Sequence, residues 1–273
     1  MAAPSAPSPI PPSPSVASPT PTDVPSNGWE LVWADEFEQP DGSPPDPEKW
    51  TYDIGAGGWG NAELQYYTDT TDNAYIENGN LVIKAIEQAD AAPRYTSARV
   101  VSRQRGDWTY GRFEIRARLP AGQGIWPAIW MLPTDEVYGI WPASGEIDIM
   151  EFIGSEPNTI YGTLHYGAPL QSEGAFYELP GENPFSNEFH VYALEWEPEE
   201  MRWYVDDVLY QTIDTWFTSG READFPAPFD QRFHLLLNIA VGGVWPGPPA
   251  ETTEFPQFMY VDYVRVYKSM ETP

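Results

Sequence analysis

The chain has 273 residues, no cysteine and a formal charge of −27, with 41% hydrophobic and 15% aromatic residues. That composition is ample for one large β domain or two small ones, and it excludes disulfides, thiolate metal sites and a cysteine nucleophile. The negative field opposes nucleic acid and anionic membrane as partners, and no apolar run approaches the ~18–20 residues of a membrane span.

Residues 1–28 are almost entirely Pro, Ala, Ser and Thr. Without a basic n-region or an apolar h-region they do not read as an intact signal peptide but as a disordered, extended linker. Such a stretch commonly follows a cleaved leader or joins modules, so secretion is expected. From Trp29 to residue 273 the chain reads as one domain of short strands. LVWADEF (31–37), NLVIKAI (80–86), SARVVSR (97–103), GRFEIRARL (111–119), IWPAIWML (125–132), GEIDIMEFI (145–153), TIYGTLHY (159–166), FHVYALEWE (189–197), RFHLLLNIAV (232–241) and MYVDYVRVYK (259–268) are rich in β-branched and aromatic residues. Gly, Pro, Asn or Asp separate them. MRWYVD and DVLYQTI form a hairpin across Asp206-Asp207. Phe113, Ile115, Ala117 and Leu119 face one way, and Glu114, Arg116 and Arg118 the other. No segment sustains an amphipathic helix, and about a dozen strands in one tract predict a two-sheet antiparallel sandwich.

One run carries chemistry. In GEIDIMEFI, Glu146 and Asp148 lie two apart and share a strand face, while Ile147 and Ile149 take the other. Glu151 is five positions from Glu146, so a regular strand would turn it into the core. One extra residue at Ile149 or Met150, a β-bulge, returns Glu151 to the face of Glu146 and leaves Phe152 buried. Two carboxyls about 5–5.5 Å apart are what a retaining glycosidase needs, one as nucleophile and one as general acid then base. Asp148 between them would share a proton with the nucleophile, because crowded like charges raise one partner's pKa. Two other readings fit these letters. One is a solvated acidic strand face, in a chain with 41 Asp plus Glu. The other is a calcium loop, against which the Ile, Ile and Met spacers argue.

Trp126, Trp130, Trp141 and Trp245 occur with Gly or Pro nearby, in segments whose other residues already supply core. Each one alone is compatible with core packing. As a set they suggest a polysaccharide cleft, since sugar C–H faces stack on indole.

GEIDIMEFIG resembles the active-site signature of glycoside hydrolase family 16, in the bulged Glu-x-Asp-x-x-Glu form of its laminarinase-like members. WADEF (33–37), GNAELQYYT (60–68), GRFEIRARLPAGQGIWPAIWML (111–132), GTLHYG (162–167), LNIAVGGVWPG (237–247) and VDYVRVY (261–267) resemble bacterial endo-β-1,3-glucanases in the same order. The likeness covers about residues 29 to 268. It implies a β-jelly-roll sandwich of two curved antiparallel sheets with a substrate cleft on the concave face, and retaining hydrolysis of β-1,3-glucan such as laminarin without a catalytic cofactor. Glu146 would be the nucleophile, Asp148 the supporting acid and Glu151 the acid/base. His165 would sit near the reacting sugar, or else be structural. Asn61, Arg99, Trp126, Trp130, Asn238 and Trp245 match sugar-binding positions. A structural Ca²⁺ far from the cleft would take Glu36, the Gly79 carbonyl and Asp262, an all-oxygen set. The expected protein is a secreted monomer whose partner is the polysaccharide. A non-catalytic glucan-binding module of the same fold remains open, as does a hydrolase of mixed-linkage glucan or of a galactan such as agarose.

Overall fold

The computed structural model describes residues 28–88, 91–181, 183–218 and 223–270. The linker expected at 1–28 lies outside these except for Gly28, whose carbonyl accepts a hydrogen bond from the Met270 N–H at 2.7 Å. The described chain is strand after strand, with a single 3-10 turn at Gly58–Gly60. In order the strands are β1 (Trp29–Asp35), β2 (Thr51–Tyr52), β3 (Gln65–Tyr67), β4 (Ala74–Glu77), β5 (Asn80–Glu87), β6 (Tyr95–Ser97), β7 (Arg99–Val101), β8 (Asp107–Trp108) and β9 (Gly111–Arg118). There follow β10 (Ile125–Pro133), β11 (Glu146–Phe152), β12 (Thr159–Tyr166), β13 (Gln171–Glu178), β14 (His190–Trp196), β15 (Met201–Val205), β16 (Val208–Ile213), β17 (Phe233–Val241) and β18 (Gln257–Ser269).

They form two sheets. The ten-stranded one runs β16-β15-β14-β9-β18-β5-β6-β3, with β1 on β18 and β4 on β5. The eight-stranded one runs β13-β12-β11-β10-β17-β7-β2, with β8 on β17. Pairing is antiparallel apart from β3 with β6. This is the expected jelly-roll sandwich.

Alternation decides what lies between the sheets. Phe113, Ile115 and Ala117 of β9 and Tyr192, Leu194 and Trp196 of β14 meet Ile125, Ile129 and Met131 of β10 and the odd-numbered residues Phe233 to Val241 of β17 in one core. Each large side chain fully buried there contributes roughly 1.5–3 kcal/mol. On β17 the intervening Leu236, Asn238 and Ala240 therefore face outward from the eight-stranded sheet. The hairpin joining β15 to β16 turns where expected, with Asp206 and Asp207 at φ 48° and 64°, the positive pair of a type I′ turn. The outer face of the ten-stranded sheet is less open than its alternation suggests. Arg112 is buried there, bonded to Glu114 at 2.7 Å and to Glu195 at 2.8 Å.

The strands that patterning missed are short or polar. β2 and β8 have two residues each, and β13 is an exposed edge strand, QSEGAFYE. An edge strand packs little against a core, so its sequence lacks the alternation that marks a half-buried one.

Candidate active site

The three acids depend on one irregularity. Trp130 of β10 pairs with Asp148, but its neighbour Ile129 pairs with Met150, so Ile149 is passed over. On the other side Asp148 pairs with Thr163 and Glu151 with Tyr161, leaving Gly162 alone opposite both Ile149 and Met150. This is the bulge the spacing predicts. Ile147, Ile149, Met150 and Phe152 all enter the core, and Glu146, Asp148 and Glu151 open onto one cleft. The Trp203 indole N–H, reaching from the opposite sheet, bonds the Asp148 carbonyl at 2.9 Å. At Gly162 a Cβ would lie 2.6 Å from Trp203 and 2.5 Å from the Tyr210 hydroxyl, so only glycine fits opposite the extra residue.

The acids are not equally exposed. Asp148 is only 2% accessible, whereas Glu146 and Glu151 are half-buried. Burial raises the pKa of Glu146 to about 8, and Asp148 beside it pushes the same way. Burial also raises Asp148 to about 7. Glu151 is held well above the usual carboxylate range, first by burial and then by the charges of Asp148 and Glu146. The physical consequence is that burial and mutual repulsion favour a proton on each of the three, which titrate as a coupled set rather than independently.

Indoles and an imidazole orient the set. Trp141 Nε1 donates to Glu146 Oε2 at 2.7 Å, and Trp126 Nε1 donates to Glu151 Oε1 at 3.2 Å. His165 pairs with Glu146 across β11 and β12. Its Nε2 lies 3.1 Å from Asp148 Oδ2, and its Nδ1 lies 2.8 Å from Ser172 Oγ.

Asn61, Arg99, Trp126, Trp130 and Asn238 line the cleft together with the acids. The Arg99 guanidinium lies between two rings, 4.8 Å from Trp59 and 4.5 Å from Trp130, and Asp53 holds its far side at 3.1 Å. Trp130 Nε1 donates to Asn238 Oδ1 at 2.7 Å, whose amide donates to the Tyr67 hydroxyl at 3.1 Å. Trp245 is an exposed rim residue, its ring 5.6 Å from Trp126 and 5.0 Å from Tyr161.

Sequence reasoning missed Trp59, Glu63 and Tyr67 as lining residues, although all three flank or fall within the quoted GNAELQYYT. It named Trp141 as a cleft tryptophan without seeing that it grips Glu146. No local signal foretells that bond, because the indole arrives on a loop.

The segments that carry the three residues expected to hold Ca²⁺ all lie alongside or within β18. Glu36 follows Asp35, which pairs with Val264. Gly79 lies two before Leu81, which pairs with Val261, and Asp262 stands between those two partners. Their charges are balanced by guanidiniums, Arg265 bonding both Glu36 oxygens at 2.8 and 2.9 Å and Arg116 bonding Asp262 at 2.6 Å. The all-oxygen donor set suits a hard cation, which would have to exchange with Arg265 for Glu36.

A β-sandwich whose outer sheet face carries paired glutamates, a supporting aspartate and a tryptophan-lined cleft is a glycoside hydrolase of the two-carboxylate kind. Residues 61–265 match the family model for Glycosyl hydrolases family 16, and the chain belongs to that family. It is 51% identical over 252 residues to a β-glucanase of Rhodothermus marinus, across 89% of this chain and 86% of that one. The laminarinase structure from the same organism superposes with a TM-score of 0.80 at 49% identity, covering 89% of this chain and 98% of that one. The laminarinase catalytic domain of Thermotoga maritima does so with a TM-score of 0.79 at 44% identity, covering 89% and 99%.

Proposed function

We propose that the chain is a secreted, monomeric endo-β-1,3-glucanase of the laminarinase type, cleaving by retaining double displacement. The observation that carries this is the bulge: it brings Glu146, Asp148 and Glu151 onto one cleft, where burial and mutual repulsion raise all three pKa values and so favour a protonated acid. Glu146 attacks the anomeric carbon while Glu151 protonates the departing glycosidic oxygen, and the glycosyl ester so formed is hydrolysed by a water that Glu151 then deprotonates. The Trp141 N–H on Oε2 stabilises the carboxylate form and leaves the other oxygen to attack. The proton that Glu146 shares with Asp148 passes to Asp148 as Glu146 attacks, and returns when the ester is hydrolysed. Trp126, Trp130 and Trp245 stack sugar faces, while Asn61, Arg99, His165 and Asn238 meet hydroxyls. Laminarin is the preferred polymer in this reading, ahead of lichenan and agarose. A purely glucan-binding module needs neither glutamate, and both are present.

Glu146→Ser tests the assignment. It should abolish laminarin hydrolysis with the fold intact, and azide should restore turnover of an activated β-glucoside with an inverted azide product. Near wild-type hydrolysis without azide rules the nucleophile out.

A calcium ion at Glu36, Gly79 and Asp262 belongs to the same reading, as a stabiliser only. Removing calcium with EGTA should lower the melting temperature and restoring it should recover the loss, and Glu36→Gln should melt alike in both conditions. A wild-type protein indifferent to calcium removes the site.

A further inference from the structure

We propose that Glu146, Asp148 and His165 also form a binding site for a transition-metal dication, Zn²⁺ or Cu²⁺, whose occupancy blocks the cleft. Ligand atoms of the three all lie within 4.8 Å of one another, and they are the only such group of His and acidic residues among the described residues. His165 Nε2 and Asp148 Oδ2 are 3.1 Å apart, against about 3.3 Å for two ligands on a tetrahedral ion with bonds of roughly 2.0–2.1 Å.

A second observation points to a cation rather than to crowded acids alone. Asp148 Oδ2 is sealed from solvent in a residue 2% exposed and takes no well-formed hydrogen bond among the described residues. A buried acceptor left in that state is costly, and a metal ion supplies the missing partner. The neighbouring imidazole is already arranged as ligating histidines are. When Ser172 Oγ, 2.8 Å away, accepts from Nδ1–H, the Nε2 lone pair is turned toward the carboxylates. Imidazole among the donors favours Zn²⁺ and Cu²⁺ over Ca²⁺ and Mg²⁺. Three protein ligands leave a fourth position for water. The other two histidines lack this surround, His190 lying 2.7 Å from Asp206 and His234 3.1 Å from Thr134.

Binding itself does not depend on the reading given under Proposed function, but its consequence does, because the ion would sit on the carboxylate assigned as nucleophile. Inhibition should be competitive with laminarin, KM rising with Zn²⁺ at constant kcat, and reversed by EDTA. Calorimetric titration of ZnCl₂ into the folded chain, in excess CaCl₂ to occupy sites for hard cations, is the deciding experiment. One equivalent should bind with release of protons, since the acids must ionise to ligate. Ser172→Ala should weaken binding about 10-fold, and His165→Gln by more than the ~100-fold upper range for an outer-shell loss. His190→Gln should bind as wild type. If His165→Gln does not fold by circular dichroism, Asp148→Asn must show the loss instead. No saturable binding to wild type, binding that survives both substitutions, or binding lost with His190→Gln overturns the proposal. A chain that binds Zn²⁺ as described yet leaves laminarin uncut when free of the metal retains the metal site and refutes the functional reading.

Discussion

Glu146 is required to ionise where a charge is least welcome, half-buried beside another carboxyl. Its pKa near 8, raised by burial and then by Asp148 from the ordinary 4.5, has a thermodynamic sign. Between those two values the folded chain holds a proton that the unfolded chain has released, so stability falls as pH rises from about 4.5 to 8. Glu146→Gln removes the ionisation. It should melt with the wild type below pH 4.5 and above it at pH 8.5, by about 2–4 °C for each ~1 kcal/mol of relieved repulsion. Scanning fluorimetry at both pH values measures this, and a variant that melts lower at pH 8.5 contradicts the electrostatic account. The Trp141 N–H bond acts in the opposite direction on Glu146, favouring its carboxylate form.

At the scale of the element, β11 works because it is irregular. Ile149 and Met150 both turn inward, opposite a single Gly162, and a tryptophan from the other sheet bonds the carbonyl just before them. Deleting Met150 yields Glu-Ile-Asp-Ile-Glu, which still keeps three acids on one face of a regular strand and Phe152 in the core. The cost is the lost core side chain, about 2–5 kcal/mol if the space does not close. Inserting alanine after Met150 instead drives Glu151 inward, where an unpartnered carboxylate is far more expensive. Soluble yield and laminarin hydrolysis should therefore favour the deletion over the insertion. Equal damage would show that face parity is not what places Glu151.

For the whole molecule, the cleft draws its lining from Trp59 through Ala240, spread over β3, β7, β10, β11 and β17. Residues 1–27 lie outside the described residues, and their Pro/Ser-rich composition cannot bury enough apolar surface to offset its ordering entropy. A chain beginning at Gly28 should retain its kcat on laminarin and its melting temperature. A folded truncation that has lost most of its kcat would assign the segment a role in catalysis.

How much of this was legible in the letters follows from the range of each interaction. Alternation in GRFEIRARL and the five-residue offset between Glu146 and Glu151 are local facts of backbone geometry, so the sandwich, the bulge and the facing acids follow from the sequence by itself. Trp126 and Trp130 stand out as tryptophans near Pro in a strand, whereas Asn61, Arg99 and Asn238 come to notice only through the family resemblance. Other features arise only in the folded chain. Trp141 reaches Glu146 on a loop, Trp59 stacks on Arg99 from a left-handed turn residue at φ 47°, and Trp203 caps the bulge from the opposite sheet. The depth of Asp148 is decided the same way. An acid expected on an exposed stripe is sealed by neighbouring strands, and that burial, which no spacing encodes, turns three ordinary carboxyls into a coupled proton store.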